Sequence, residues 1–296
     1  MPPATDLGAI LTAMVTPFES DGSIREDATR RIARHLVEHG SDGLVVTGTT
    51  GEAPTLDDAE KLRLIEIVVD EVGDSATVVA GTGSNDTAHS VHLTRQASKL
   101  GVDAVLVVTP YYNKPNRRGL MAHFSAVAAA TDLPVLVYNI PARCVINLDP
   151  DLLAELGRID NVVGVKQANS DMEQARRVVE DSELSLYAGD DNLLGPFAEI
   201  GGAGGVTVSS HLVGEQMKEL YEAARSGDIE RSRALDRELD EVYRTLFIAP
   251  APATVKAALG LLGFETGGVR LPLVEVDESE LAQVRRMVES LRPVRA

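Results

Sequence analysis

Apolar runs of four to seven residues recur along the chain, separated by longer stretches whose apolar positions follow helical spacing. The runs fall at 9–15, 43–46, 77–80, 104–108, 135–138, 162–166, 185–188 and 205–208. Most are continuous rather than alternating, as expected of parallel strands covered by helices. Helical patterns fill the gaps. One starts near Asp27 and stops at Gly40, and another follows the capping-box-like Thr55-Leu56-Asp57-Asp58 and ends at Gly73. Further patterns cover 84–100, 119–130, a stretch opened by Asp149-Pro150, 171–181, a segment starting near Pro196, and 211–226.

Eight evenly spaced strand–helix units predict an α/β chain with a (β/α)8 TIM barrel over residues 1–226. A doubly wound sheet is the alternative, but even spacing favours closure. Residues 227–296 carry helical patterns without a strong strand and read as a C-terminal helical subdomain.

Composition narrows the function classes. The 296 residues are 44% hydrophobic and 25% charged, which suits a sizeable core. No stretch is long and apolar enough to span a membrane. The opening Met1-Pro2-Pro3-Ala4-Thr5-Asp6 lacks a basic and apolar leader pattern, and the single Cys144 fits a reducing compartment. A cytoplasmic location is expected. The net charge of −17, without Trp or a basic cluster, argues against nucleic acid and anionic membrane as partners.

Active sites of (β/α)8 barrels form at the C-terminal ends of the strands. Those ends carry Gly48-Thr49-Thr50-Gly51-Glu52, Tyr111-Tyr112-Asn113-Lys114-Pro115, Tyr138-Asn139-Ile140-Pro141 with Arg143, Lys166, and Gly189-Asp190-Asp191. Lys166 closes an apolar run, where an amine is costly unless paired or used. A desolvated lysine becomes a neutral nucleophile able to form an imine with a carbonyl. The other five lysines lie on apparent helices or loops. Strand periodicity puts Lys166, Gly164 and Val162 on one face, and Gly164 is expected to leave space beside the amine. Tyr138 ends the neighbouring strand and suits proton transfer during imine formation; a core tyrosine bonded to backbone is the alternative. The Gly48–Gly51 turn offers hydroxyls and N–H groups that can hold a carboxylate, or is a plain βα turn. Arg143 is placed to clamp a carboxylate, or is a solvated arginine.

Three patterns are set aside. His35-Leu36-Val37-Glu38-His39 matches a zinc pattern but lies toward the far end of the barrel with no evident third ligand. His89 and His92 read as a helix surface. The glycines of 201–205 precede a strand and read as a tight turn rather than a phosphate site.

Together these strand-end motifs resemble the pyruvate-dependent class I lyase/aldolase family that includes N-acetylneuraminate lyase. The resemblance runs from about Ala9 to the C-terminus. It implies that Lys166 forms a Schiff base with pyruvate and that Tyr138 is the proton shuttle. It implies that Thr49 and Thr50 are the paired threonines beside pyruvate, with Thr50 also in substrate binding. It implies that Tyr112 reaches a neighbouring subunit of a homo-oligomer, a dimer or dimer of dimers. Gly189 and Val206 match positions lining the site. Arg143 matches the arginine that binds the aldehyde's carboxylate in members that condense pyruvate with L-aspartate 4-semialdehyde, and that reaction is the expectation. A sugar-derived 2-keto acid as substrate, or a non-catalytic keto-acid-binding homologue, are the alternatives. No metal or organic cofactor is expected, because the imine serves as electron sink. Cys144-Val145 and Gln167 depart from the family's usual Thr-Gly and Glu. Where members bind lysine, the resemblance implies a pocket formed here by Ala53, Asp58, Lys61, Asn85, His89 and Tyr111. His89 stands in place of a glutamate and Lys61 in place of a histidine, so weak inhibition by lysine is expected.

Overall fold

The computed structural model describes residues 6–291, and residues 1–5 and 292–296, which include the N-terminal stretch read above for a leader, lie outside the described residues. Eight parallel strands close in sequence order into a barrel. They are β1 (Ile10–Ala13), β2 (Gly43–Val46), β3 (Thr77–Gly81), β4 (Ala104–Val108), β5 (Val135–Asn139), β6 (Val162–Gln167), β7 (Ser185–Ala188) and β8 (Gly204–Thr207). Between them lie α1 (Glu26–Glu38), α2 (Asp58–Val72), α3 (Thr87–Ala97), α4 (Arg117–Ala128), α5 (Pro141–Cys144), α6 (Pro150–Leu156), α7 (Met172–Asp181) and α8 (Leu194–Glu199). Helix α9 (Ser210–Ser226) follows β8, and Gly227, at φ 89°, ends it in the left-handed conformation that glycine tolerates. The remaining helices are α10 (Ile229–Leu246), α11 (Ala253–Leu261) and α12 (Glu278–Leu291).

The strands are buried on both faces, which is why they read as continuous apolar runs. Outward residues such as Leu44, Val46, Val105, Val107 and Val165 pack under the helices. Inward residues such as Leu11, Val45, Val79, Leu106, Leu136 and Val206 fill the barrel. The α2 start differs in detail from the expected one. Asp57 is the cap, accepting from the Glu60 N–H at 2.8 Å while Glu60 accepts from the Asp57 N–H at 3.0 Å.

Strand β6 corrects two expectations. Val135 pairs with Val162 but Leu136 pairs with Gly164, so Val163 is an extra residue in a bulge. The bulge reverses the alternation, and Val162 joins the outer core rather than the face of Lys166. Gly164 does face inward, but it leaves no void: a Cβ there would fall 2.8 Å from Leu136 Cδ2 and 2.8 Å from the Ser185 carbonyl. Its missing side chain lets neighbouring strands and Leu136 pack closely.

Candidate active site

Beyond the bulge, register brings the chemistry together. The Cα of Lys166 pairs with Tyr138 on β5 and with Tyr187 on β7. Lys166 is 6% exposed, and its Nζ lies 4.3 Å from the centre of the Tyr138 ring. Among the described residues, no hydrogen bond or ion pair holds this amine. Burial lowers its pKa from 10.5 to about 8, opposed by the negative field of Asp191 and Asp190 and assisted by Arg143. At pH 7 about one such amine in eleven is neutral, against about one in three thousand at the ordinary value. Burial pushes the Tyr138 phenol well above its ordinary value, and Arg143 pulls against it. Tyr138 therefore stays protonated at neutral pH and can give or take a proton beside a neutral amine.

Tyr138 also lines a cavity of about 510 Å³ at the C-terminal end of the barrel. Thr49 and Gly48 from the β2 turn and Arg143 from α5 share its wall. Helix α5 is one short turn that begins on Pro141, where the missing N–H costs no helical bond. Asn139 anchors the segment that follows, accepting from the Leu148 N–H at 3.1 Å and donating to Asn147 Oδ1 at 2.8 Å and Gln167 Oε1 at 2.9 Å. Cys144 donates to the Thr109 carbonyl at 3.1 Å, and burial raises its pKa to about 11, so the thiol is unreactive at neutral pH.

The other expected site residues are placed as follows. Lys166 is not on the cavity wall; it contacts Tyr138, which is. Thr50, next to Thr49 in the turn, is 5% exposed. Tyr112 is 88% exposed with φ 71°, while Tyr111 lines the cavity. Val206 is fully buried within the barrel and Gly189 is half-buried, and neither lines this cavity. All six residues of the expected lysine pocket line the same cavity. Asp58 there is engaged: its Oδ1 is 2.8 Å from His89 Nε2 and 3.8 Å from Lys61 Nζ. Burial works against the Asp58 charge, but His89 and Lys61 hold its pKa below the usual carboxylate range. His89 is thus a partner of Asp58 rather than a plain helix surface. The His35 and His39 rings lie 4.1 Å apart, and His35 packs on Phe264 of the C-terminal segment.

Sequence reasoning missed Tyr187 and named Asp190 and Asp191 only as letters of a motif. Tyr187 flanks Lys166 from the other side, a position visible only once β7 is paired. Asp191 is fully buried and accepts from the Val208 and Ser209 N–H groups at 3.0 and 2.6 Å, fixing the β8–α9 junction. Asp190 lies near enough to feel Lys166, and burial raises its pKa. Lys256, one of the lysines read as lying on helices or loops, is 3% exposed and paired with Glu52 at 2.6 Å. It is the second buried lysine.

The chain matches the model of the dihydrodipicolinate synthetase family over residues 6–291. It is 50% identical to the 4-hydroxy-tetrahydrodipicolinate synthase of Desulforudis audaxviator, across 95% of this chain and 96% of that one. Among solved structures, a dihydrodipicolinate synthase of Bacillus anthracis superimposes with a TM-score of 0.94 at 40% identity, covering 96% of this chain and 98% of that one. The enzyme of Cyanidioschyzon merolae, solved with lysine bound, gives a TM-score of 0.94 at 37% identity, covering 96% and 99%.

Proposed function

The chain belongs to the dihydrodipicolinate synthetase family, and from that premise we propose how its residues carry out the reaction. The protein is a class I pyruvate-dependent lyase that condenses pyruvate with L-aspartate 4-semialdehyde to 4-hydroxy-tetrahydrodipicolinate. The observation that carries the mechanism is the buried Lys166, held by no hydrogen bond or ion pair among the described residues and in register with Tyr138. Neutral Lys166 Nζ attacks pyruvate C2, and proton transfers through Tyr138 let the carbinolamine lose water. The resulting imine gives up a C3 proton to become an enamine. Its C3 forms a carbon–carbon bond to the aldehyde carbon, and the aldehyde oxygen takes up a proton. The amino group now in the same molecule attacks C2, closes the ring and releases Lys166 as the free amine. Thr49 and Thr50 orient Tyr138 and receive the pyruvate carboxylate, and Arg143 receives the carboxylate of the aldehyde. Gly189 and Val206 support the site from within the barrel.

Incubation with pyruvate and borohydride should add the mass of reduced pyruvate to the peptide carrying Lys166. An adduct on Lys256, or none, would refute the assignment. We further assign the enzyme to the cytoplasm, where its substrates arise, and to a homo-oligomer. An 88% exposed tyrosine held at φ 71° is a poor solvent residue and a good interface residue. Tyr112→Phe mixed and reassembled with Lys166→Ala should regain part of the activity; a fully active monomer would exclude the crossing.

A further inference from the structure

The Gly48–Gly51 turn is flanked by two non-glycine residues in the left-handed region, Thr47 at φ 57° and Glu52 at φ 56°. Such residues persist only where their surroundings over-determine them. For Glu52 the surroundings come from the far end of the chain. Its carboxylate is completely buried; Oε1 accepts from Lys256 Nζ at 2.6 Å and Oε2 accepts from the Arg270 backbone N–H at 2.8 Å. Lys256 donates also to the Gly268 carbonyl at 2.7 Å and lies 4.3 Å over the Phe18 ring. The Arg270 guanidinium also lies over Phe18, 4.4 Å from the ring centre, and donates to the Thr55 carbonyl at 2.7 Å and to Glu60. The loop after β1 joins in, since Thr16 donates to the Gly51 carbonyl at 2.7 Å and the Phe18 N–H donates to the Thr266 carbonyl at 3.0 Å.

A buried ion pair is a poor way to add stability, because desolvation offsets the attraction. It is an effective way to fix geometry, because an unpaired alternative is so unfavourable. The pair here joins α11 to the last residue of the turn that carries Thr49, and Thr49 stands on the cavity wall with Tyr138. We propose that Glu52, held by Lys256 and Arg270, is a positioning residue that sets the turn 48–51 for the pyruvate carboxylate. The C-terminal segment thereby shapes the pyruvate site without touching pyruvate. The inference rests on the reading of that turn as the pyruvate subsite.

The test uses Glu52→Gln, Lys256→Met and the double variant in the full-length enzyme. Glu52→Gln strands the Lys256 charge, so it loses stability. The double variant replaces the pair with neutral groups of similar size and should recover the melting temperature. If the pair positions the turn, Glu52→Gln and the double variant both raise the pyruvate KM tenfold or more. Both also slow borohydride trapping at subsaturating pyruvate, while the KM for the aldehyde stays within about threefold. Recovery of the pyruvate KM together with stability in the double variant would show a merely structural pair and overturn the proposal. So would a pyruvate KM within twofold of wild type in both variants. Wild-type enzyme that fails to trap pyruvate on Lys166 would instead overturn the underlying reading of the site.

Discussion

Replacing Lys166 by methionine should abolish condensation and stabilise the protein. The amine is charged in the unfolded chain up to about pH 10.5, but in the fold its pKa is about 8. Between those values the unfolded state holds more protons than the native state, so native stability rises with pH across that window. Below pH 8 the whole cost of burying the charge is present. At about 1.36 kcal/mol per pH unit, the fall from 10.5 to about 8 caps that cost near about 3 kcal/mol. Local relaxation brings the expected value to about 1–3 kcal/mol. Methionine has a similar length and no charge, so it removes the cost without opening a cavity. The variant should therefore melt higher at pH 7, by roughly 2 °C or more for each kcal/mol. The difference should shrink to about 1 kcal/mol or less by pH 10, because the native amine is by then neutral while the unfolded chain still holds most of its proton. Denaturant titrations of both proteins at pH 7, 9 and 10 measure this directly. A Lys166→Met protein less stable than wild type at pH 7, or a difference independent of pH, would show that the amine is not held desolvated.

Arg143→Ala should still trap pyruvate on Lys166 yet lose condensation by about 2 kcal/mol or more, thirtyfold or beyond; because Arg143 is exposed, the low end is expected, and unchanged kinetics would point to another aldehyde. Free lysine should half-inhibit only above about 1 mM, because Asp58 is already engaged by His89 and Lys61 and a cationic ligand must displace or face them; inhibition below that level, measured in the condensation assay, would contradict the arrangement. Acid should unfold the protein steeply below pH 6.5. Burial drives His123 and His211 down to about 4 from 6.5, so the unfolded chain takes up two protons that the fold refuses. The stability present above pH 6.5 is then lost toward pH 4 at up to about 2.7 kcal/mol per pH unit. His123→Phe keeps the bulk, removes one titration and should flatten the slope of denaturant midpoints between pH 7 and 5.

The barrel was legible because each strand is covered on both sides, so its apolar run is unbroken and bounded by turns. Strands β2, β4 and β7 match the runs read from sequence; β1 stops inside its apolar run, β8 is shifted by one residue, and β3, β5 and β6 run on by one residue, where the backbone still pairs but the apolar run has ended. Asn139 and Gln167 are examples: each is polar, fully buried and still in the ladder, each bonded to the other. The bulge at Val163 was not legible. It depends on how β6 slides against β5, and nothing in the residues 162–164 alone demands it. Period-two reasoning therefore placed Val162 on the wrong face while placing Lys166 correctly, since Lys166 lies beyond the slip.

The two buried lysines show why part of the site could be read and part could not. Lys166 and Lys256 are 6% and 3% exposed, so burial does not separate them. Lys256 lies on a helix, where a polar face is ordinary, and its partner Glu52 is 204 positions away. No local pattern records such a pairing, and the glutamate appeared only as the last letter of a turn motif. Lys166 ends an apolar strand, where an amine conflicts with its surroundings at the level of the sequence itself. The fold resolves the conflict at Lys256 with a carboxylate and leaves it unresolved at Lys166. A charge that the structure goes on to pair serves to fix geometry rather than to react. One left desolvated and unpaired is held ready to shed its proton, which is the state a carbonyl-attacking amine requires.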